Sequence, residues 1–180
     1  MRRPPYSQWL EAMTEPNYQA IPLGDPQFCR FLVRGLRQQR DLRMRYLCAH
    51  HADACADDPR LQAALCARAE DPKEHPVIRG QCLERIHFSP TCRRQAKRLR
   101  RLLFLCLRDP DPNVRFWSCF KAQPWTLPIL QKMVHDTGVG DLGWTVGYEA
   151  GEAIKSIRGL PAWDDDGPKR QPHGYESLWQ

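Results

Sequence analysis

The stretch Asp109-Pro110-Asp111-Pro112-Asn113-Val114-Arg115-Phe116-Trp117-Ser118-Cys119-Phe120-Lys121-Ala122 decides how the chain is read. It predicts a tight turn followed by an amphipathic helix. Asp111 stands where an N-cap belongs, its carboxylate ready to accept free backbone N–H groups. Pro112 follows at the first helical position, where its missing N–H costs nothing. Val114, Ser118 and Ala122 recur every fourth residue, with Trp117 beside them, and so share one face of the helix.

The pattern repeats along the chain. Met44-Arg45, Ile78-Arg79, Val114-Arg115 and Val146-Gly147 open successive segments 34, 36 and 32 residues apart, inside the range of helical repeat arrays. Four residues after each opener stands a small side chain: Cys48, Cys82, Ser118 or Ala150. Eight after stands an apolar one: Ala52, Ile86, Ala122 or Ile154. Ahead of the openers lie second apolar-periodic segments, from Phe28 to Arg40, Leu61 to Glu70 and Cys92 to Arg108, with Leu127 to Val134 as a shorter fourth. The expectation is an all-α chain of about four helix–turn–helix units.

This pattern resembles the HEAT repeats, in the variant that includes the PBS-lyase-like repeats. Their mark is an Asp-Pro turn, then a hydrophobic residue and Arg, then small and apolar positions along a second helix. Asp109-Pro110-Asp111-Pro112-Asn113-Val114-Arg115 carries it best; Asp71-Pro72 with His75-Pro76-Val77-Ile78-Arg79 follows, then Asp41-Leu42-Arg43-Met44-Arg45. The last unit departs, with Gly147 in place of the Arg, although Tyr148-Glu149-Ala150-Gly151-Glu152-Ala153-Ile154 suits the helix that follows. The resemblance implies a right-handed α-solenoid over residues 27–160, and it says little about activity, because such solenoids host many functions. It further implies that Arg79 and Arg115 pair with turn acids, Asp71, Asp109 or Asp111, as a ladder that stabilises the stack. By the same resemblance the second helices line a concave binding face, which points to Phe116, Phe120, Lys121, Trp144 and Tyr148. Phe116 and Phe120 either complete a wide core face or form an exposed protein-binding patch.

Outside the repeats, residues 1–26 are punctuated by proline. A short helix from Ser7 to Met13, with Trp9, Leu10 and Met13 as its apolar stripe, would cap the open end of the stack. No apolar segment follows Met1-Arg2-Arg3-Pro4-Pro5, so no secretory leader is expected. Residues 161–180 form a Pro/Gly-rich tail with an acidic run, Asp164 to Asp166, and read as flexible or as folding back through Trp163 and Trp179. Gly159 is placed to end the last helix in a left-handed conformation, and Pro161 prevents its continuation.

The formal net charge is +6, which admits anionic partners without naming them. Arg30, Arg34, Arg37, Arg40, Arg43 and Arg45 form one basic run. Arg93, Arg94, Lys97, Arg98, Arg100, Arg101 and Arg108 form a denser one with no acid among them. The second run is either a solubilising outer face or an anion-binding strip, with Arg93, Arg94, Lys97, Arg98 and Arg101 as its contacts. It lacks interleaved aromatics, which argues against single-strand stacking.

The eight cysteines show neither Cys-x-x-Cys spacing nor a zinc-finger pattern and fall at apolar-periodic positions. They are expected to be buried, reduced thiols of a cytoplasmic protein, with no metal and no cofactor. No apolar run approaches the roughly 18 residues of a membrane span. His50, His51, His75, His87, His135 and His173 form no catalytic constellation. Some HEAT-like enzymes hold a di-iron centre through His-Glu pairs, but here Tyr148-Glu149 occupies that place without the His. The expectation is a non-enzymatic scaffold that binds a partner protein on its concave face. The alternative, which includes a DNA-glycosylase-like reading, is a nucleic-acid-binding protein that uses the basic strips.

Overall fold

The computed structural model describes Trp9, Met13 and residues 23–38, 40–87, 93–140 and 143–162. Most of the capping segment and nearly all of the acidic tail therefore lie outside the described residues. Among the described residues the chain is all-helical, with eight α-helices and no strand. They are α1 (Pro26–Gln38), α2 (Leu42–His50), α3 (Pro59–Glu70), α4 (Pro76–Arg85), α5 (Arg93–Cys106), α6 (Pro112–Cys119), α7 (Leu127–Met133) and α8 (Val146–Ile157). Short 3-10 turns follow α2 (His51–Cys55) and precede α7 (Pro124–Thr126). None of these helices is long and apolar enough to cross a membrane.

The helix starts follow from local chemistry. Proline opens α1, α3, α4 and α6, and a side chain just ahead accepts the freed N–H groups. The Asp25 carboxylate takes Gln27 N (2.6 Å) and Phe28 N (2.9 Å), Asp58 takes Arg60 N (2.8 Å), and Asp111 takes Asn113 N (2.8 Å). Asp41 caps α2 through Arg43 N, and Thr145 caps α8 through Tyr148 N. Such a cap contributes about 1 kcal/mol, so each boundary is written into its own few residues. Gly159 closes α8 with φ of 69°.

The helices pair in order, α1 with α2, α3 with α4, α5 with α6 and α7 with α8. The second members form one row, α2 against α4, α4 against α6 and α6 against α8. The first members α1, α3 and α5 form another. The rows differ in burial, and the sequence shows why. In α4 every residue from Val77 to Leu83 is buried, as befits a helix packed on several sides. In α1 only Phe28, Cys29, Phe31, Leu32, Gly35 and Leu36 are buried, while Arg30, Arg34 and Arg37 face solvent. Close approach within the second row depends on Gly80: a Cβ there would lie 2.5 Å from Trp117 Cδ1 and 2.8 Å from Asn113 Nδ2.

Ion pairs tie each unit to the next. Arg45 places Nη2 2.8 Å from Glu74 Oε1 and Nε 2.8 Å from Oε2. Arg79 reaches Asp109 Oδ2 at 2.6 Å and also donates to Ala69 O. Arg115 grips both oxygens of Asp136 at 2.8 and 3.1 Å and donates through Nη1 to Asp109 O and Pro110 O. In each case an Arg in the first turn of a second helix crosses to the acid in the following unit's turn. This corrects two members of the expected set. Asp71 accepts Lys73 N in its own turn, and Glu74 takes the Arg. Asp111 caps α6, and Arg115 turns to Asp136 instead. At Gly147 no further unit follows among the described residues. There the backbone itself closes on the turn: Gly147 N donates to Asp136 O (2.9 Å), and a Cβ would lie 2.6 Å from Val134 O.

The cysteines require a further correction. Cys29 of α1 and Cys55 of the 3-10 turn are joined by a disulfide, so not all the thiols are reduced. Cys48, Cys66, Cys82, Cys106 and Cys119 are free and buried, and Cys92 lies outside the described residues. Burial pushes the Cys66 thiol up to about 11 and those of Cys48 and Cys106 up to about 12, which keeps them protonated and unreactive. The two adjacent histidines fall in different elements: α2 ends at His50 and the 3-10 turn begins at His51. His51 Nε2 lies 3.0 Å from Met13 O, and burial lowers its pKa.

Arg79→Met leaves the Asp109 carboxylate, whose side chain is 9% exposed, without its cation, and should cost about 3–5 kcal/mol in urea denaturation. Arg98→Ala, which breaks a pair 39% and 31% exposed, should cost about 1 kcal/mol or less in the same assay. The disulfide closes a loop with a sequence separation of 26 residues, so replacing Cys29 and Cys55 by Ser should lower stability by about 3 kcal/mol. Reductant should then lower the melting temperature of the unmodified chain and leave that of the double variant unchanged.

Candidate functional site

The second-row face provides little free surface at the positions named for it. Phe116 is fully buried, and so is no contact for a partner. The reason is the row itself: α6 lies between α4 and α8, with Trp117 set against Gly80 of α4 and Phe116 against Gly140 ahead of α8. Phe116 packs edge-on to Trp117 (centroids 5.4 Å apart) and to Phe120 (5.5 Å), leaving Phe120 at the rim, 36% exposed. Lys121 is half-buried and donates from Nζ to Glu84 O at 2.7 Å, joining the end of α6 to the end of α4. Burial lowers its pKa, with the nearby Glu84 acting against that shift. Trp144 is buried and stacks on half-buried Tyr148 with ring centroids 4.6 Å apart.

The basic run of α5 has a different fate. Arg93 and Arg94 open the helix, and their side chains lie outside what the structure describes. Leu99, Leu102, Leu103 and Cys106 point to the core. Lys97, Arg100, Arg101 and, just past the helix end, Arg108 are exposed by the same periodicity. Arg98 is engaged: it donates to both oxygens of Glu70 at 3.1 and 2.9 Å, and those hydrogen bonds raise its pKa. No carboxylate among the described residues pairs with Lys97, Arg100, Arg101 or Arg108.

These cations line a groove of about 500 Å³ between α5 and the Pro124–Met133 segment, together with Phe104, Trp125 and Ile129. Phe104 is 45% exposed although it stands in the middle of the basic face, and Leu105 beside it is 47% exposed. The Arg108 guanidinium carbon lies 3.8 Å from the Phe104 ring centroid, and that of Arg100 lies 4.9 Å from the Trp125 centroid. The expectation of a strip without aromatics is thereby corrected. Phe104 lies within the helix itself, and Trp125 arrives from a distant turn. The signal for Phe104 was legible: it falls seven residues after Lys97 and four after Arg100, on the outer face. Trp125 had no such signal, because only packing brings its turn against α5.

Among the described residues no three His, Cys, Asp or Glu side chains come together as a metal site. The groove offers positive charge, hydrogen-bond donors and aromatic faces. That chemistry binds anions and flat rings. Comparison of the chain with protein-family models, with curated proteins and with solved structures finds no match in any of the three.

Phe116→Ala should cost about 3–5 kcal/mol of stability, as a cavity in a closed core does. Phe120→Ala, at the rim, should cost distinctly less. Thermal or urea melts of the two variants check the order.

Proposed function

We propose that the chain is a non-enzymatic helical-repeat module, a HEAT-like right-handed solenoid, that binds nucleic acid along the outer face of α5. The serial contacts within each row and the Arg–acid pairs between successive units support the repeat reading. One observation carries the binding reading: Lys97, Arg100, Arg101 and Arg108 share an exposed groove without a carboxylate partner among the described residues. Some other cations are paired, as Arg60 with Asp58, Arg85 with Asp53 and, on the same helix, Arg98 with Glu70. Cations left without acids on one face are the footprint of a polyanion, whose phosphates they would neutralise with release of counterions.

A protein scaffold is the second reading. It draws on the partly exposed Phe120 and on Tyr148 stacked against Trp144. With Phe116 buried and Lys121 bonded to Glu84, that face has few anchors of the kind that dominate protein interfaces.

Fluorescence anisotropy with labelled single- and double-stranded oligonucleotides at increasing salt tests the proposal. About three to four phosphate contacts predict a log–log slope near −2 to −4 across the two forms. Lys97→Glu with Arg100→Glu and Arg101→Glu should abolish binding and leave the melting temperature nearly unchanged. A partner protein captured at high salt, with no oligonucleotide bound at low salt, would favour the scaffold.

A further inference from the structure

A face made only to hold phosphates needs cations and solvated spacers. The α5 groove contains more than that. Phe104 leaves 45% of its surface exposed amid four cations. Trp125 presents a second ring to the same groove from across it. Each ring is covered by a guanidinium, Arg108 over Phe104 and Arg100 over Trp125. A cation–π contact at an exposed site is weak, on the order of 0.5–1 kcal/mol. A guanidinium leaves such a ring readily for a phosphate oxygen, to which it makes paired, charge-assisted hydrogen bonds.

We propose that the groove binds single-stranded nucleic acid in preference to duplex, with unpaired bases stacked on Phe104 and Trp125 and the flanking phosphates held by Lys97, Arg100, Arg101 and Arg108. The inference rests on the nucleic-acid reading above and names its substrate class. In a duplex the base faces are already stacked on one another and the grooves offer only base edges, so the two rings would go unused. In a single strand every base has a free face, and stacking on an aromatic side chain is tolerant of sequence. The groove volume of about 500 Å³ falls within the range of small-ligand sites, room enough for a base and its sugar-phosphate. Exchange is then built into the arrangement: the base takes the ring, and the displaced guanidinium takes the phosphate.

The test compares three probes of equal length on the full chain: oligothymidylate, an abasic phosphodiester oligomer and a duplex. Oligothymidylate should bind most tightly. Phe104→Leu, a surface change that keeps the charge, should weaken its binding by roughly 5- to 150-fold, the range for loss of one stacked base. The same variant should leave abasic and duplex binding unchanged. Quenching on titration should include a Trp125 component, identified by its loss in Trp125→Phe, a variant that retains a ring and should retain most of the affinity. Equal affinity for the abasic oligomer and oligothymidylate, with Phe104→Leu silent, would overturn base stacking and leave phosphate binding standing. Binding of none of the three probes would overturn the nucleic-acid reading itself.

Discussion

The structure depends on a charge that cannot be left alone. An Arg at the start of each of the first three second-row helices is drawn into partly or fully desolvated surroundings, where an unpaired guanidinium would be costly. Arg45, Arg79 and Arg115 each resolve this by crossing to the acid of the following turn, Glu74, Asp109 and Asp136. The contact is directional. It fixes where the next turn must lie, and so sets how one helix pair sits on its neighbour. Where no further turn follows among the described residues, Gly147 stands in place of the Arg, and the chain closes by a backbone hydrogen bond to Asp136 O.

That directional stacking divides the molecule into a dry row and a wet one. The second row is enclosed, so even its aromatic and polar side chains are spent on packing: Phe116, Asn113 and Ser118 are fully buried. The first row keeps one face in water, and there the chain concentrates its cations. Aromatic residues of one kind thus meet opposite fates. Phe116 is core because α6 has neighbours on both sides, whereas Phe104 is surface because it lies on the outer side of α5. The buried thiols follow the same rule. They serve as small apolar side chains where helices come close, and burial holds Cys48 and Cys106 protonated, their pKa near 12. Cys29 and Cys55, at the edge of the array, are joined instead.

Much of this was written locally. Asp-Pro and its variants set the helix starts, because an N-cap acts within three residues and proline acts on its own backbone. The 3.6-residue period separated Leu99, Leu103 and Cys106 from Lys97, Arg100 and Arg101, so the apolar and basic faces of α5 could be drawn from the sequence, while Leu102 and Phe104 were assigned by the structure. The spacing of the openers set the number of helix pairs, and the resemblance to HEAT repeats implied that the Arg after them would pair with turn acids.

What the sequence could not decide were contacts between residues distant in the chain, for which local pattern carries no information. It named Asp71 and Asp111 as Arg partners, but the choice of Glu74 and Asp136 depends on which carboxylate faces the guanidinium after the pairs have stacked. It could not tell that Phe116 is enclosed, since a residue off the main apolar stripe is buried only if a second neighbour covers it. The bond between Cys29 and Cys55 is likewise a matter of two backbones brought within reach. The groove is the clearest case. The sequence alone determined a basic helix face; Phe104 was passed over there, although the helical period places it on that face. Only tertiary packing placed Trp125 across from it, because that ring belongs to a turn seventeen residues beyond Arg108, and the docking of the next helix pair decides where the turn lies.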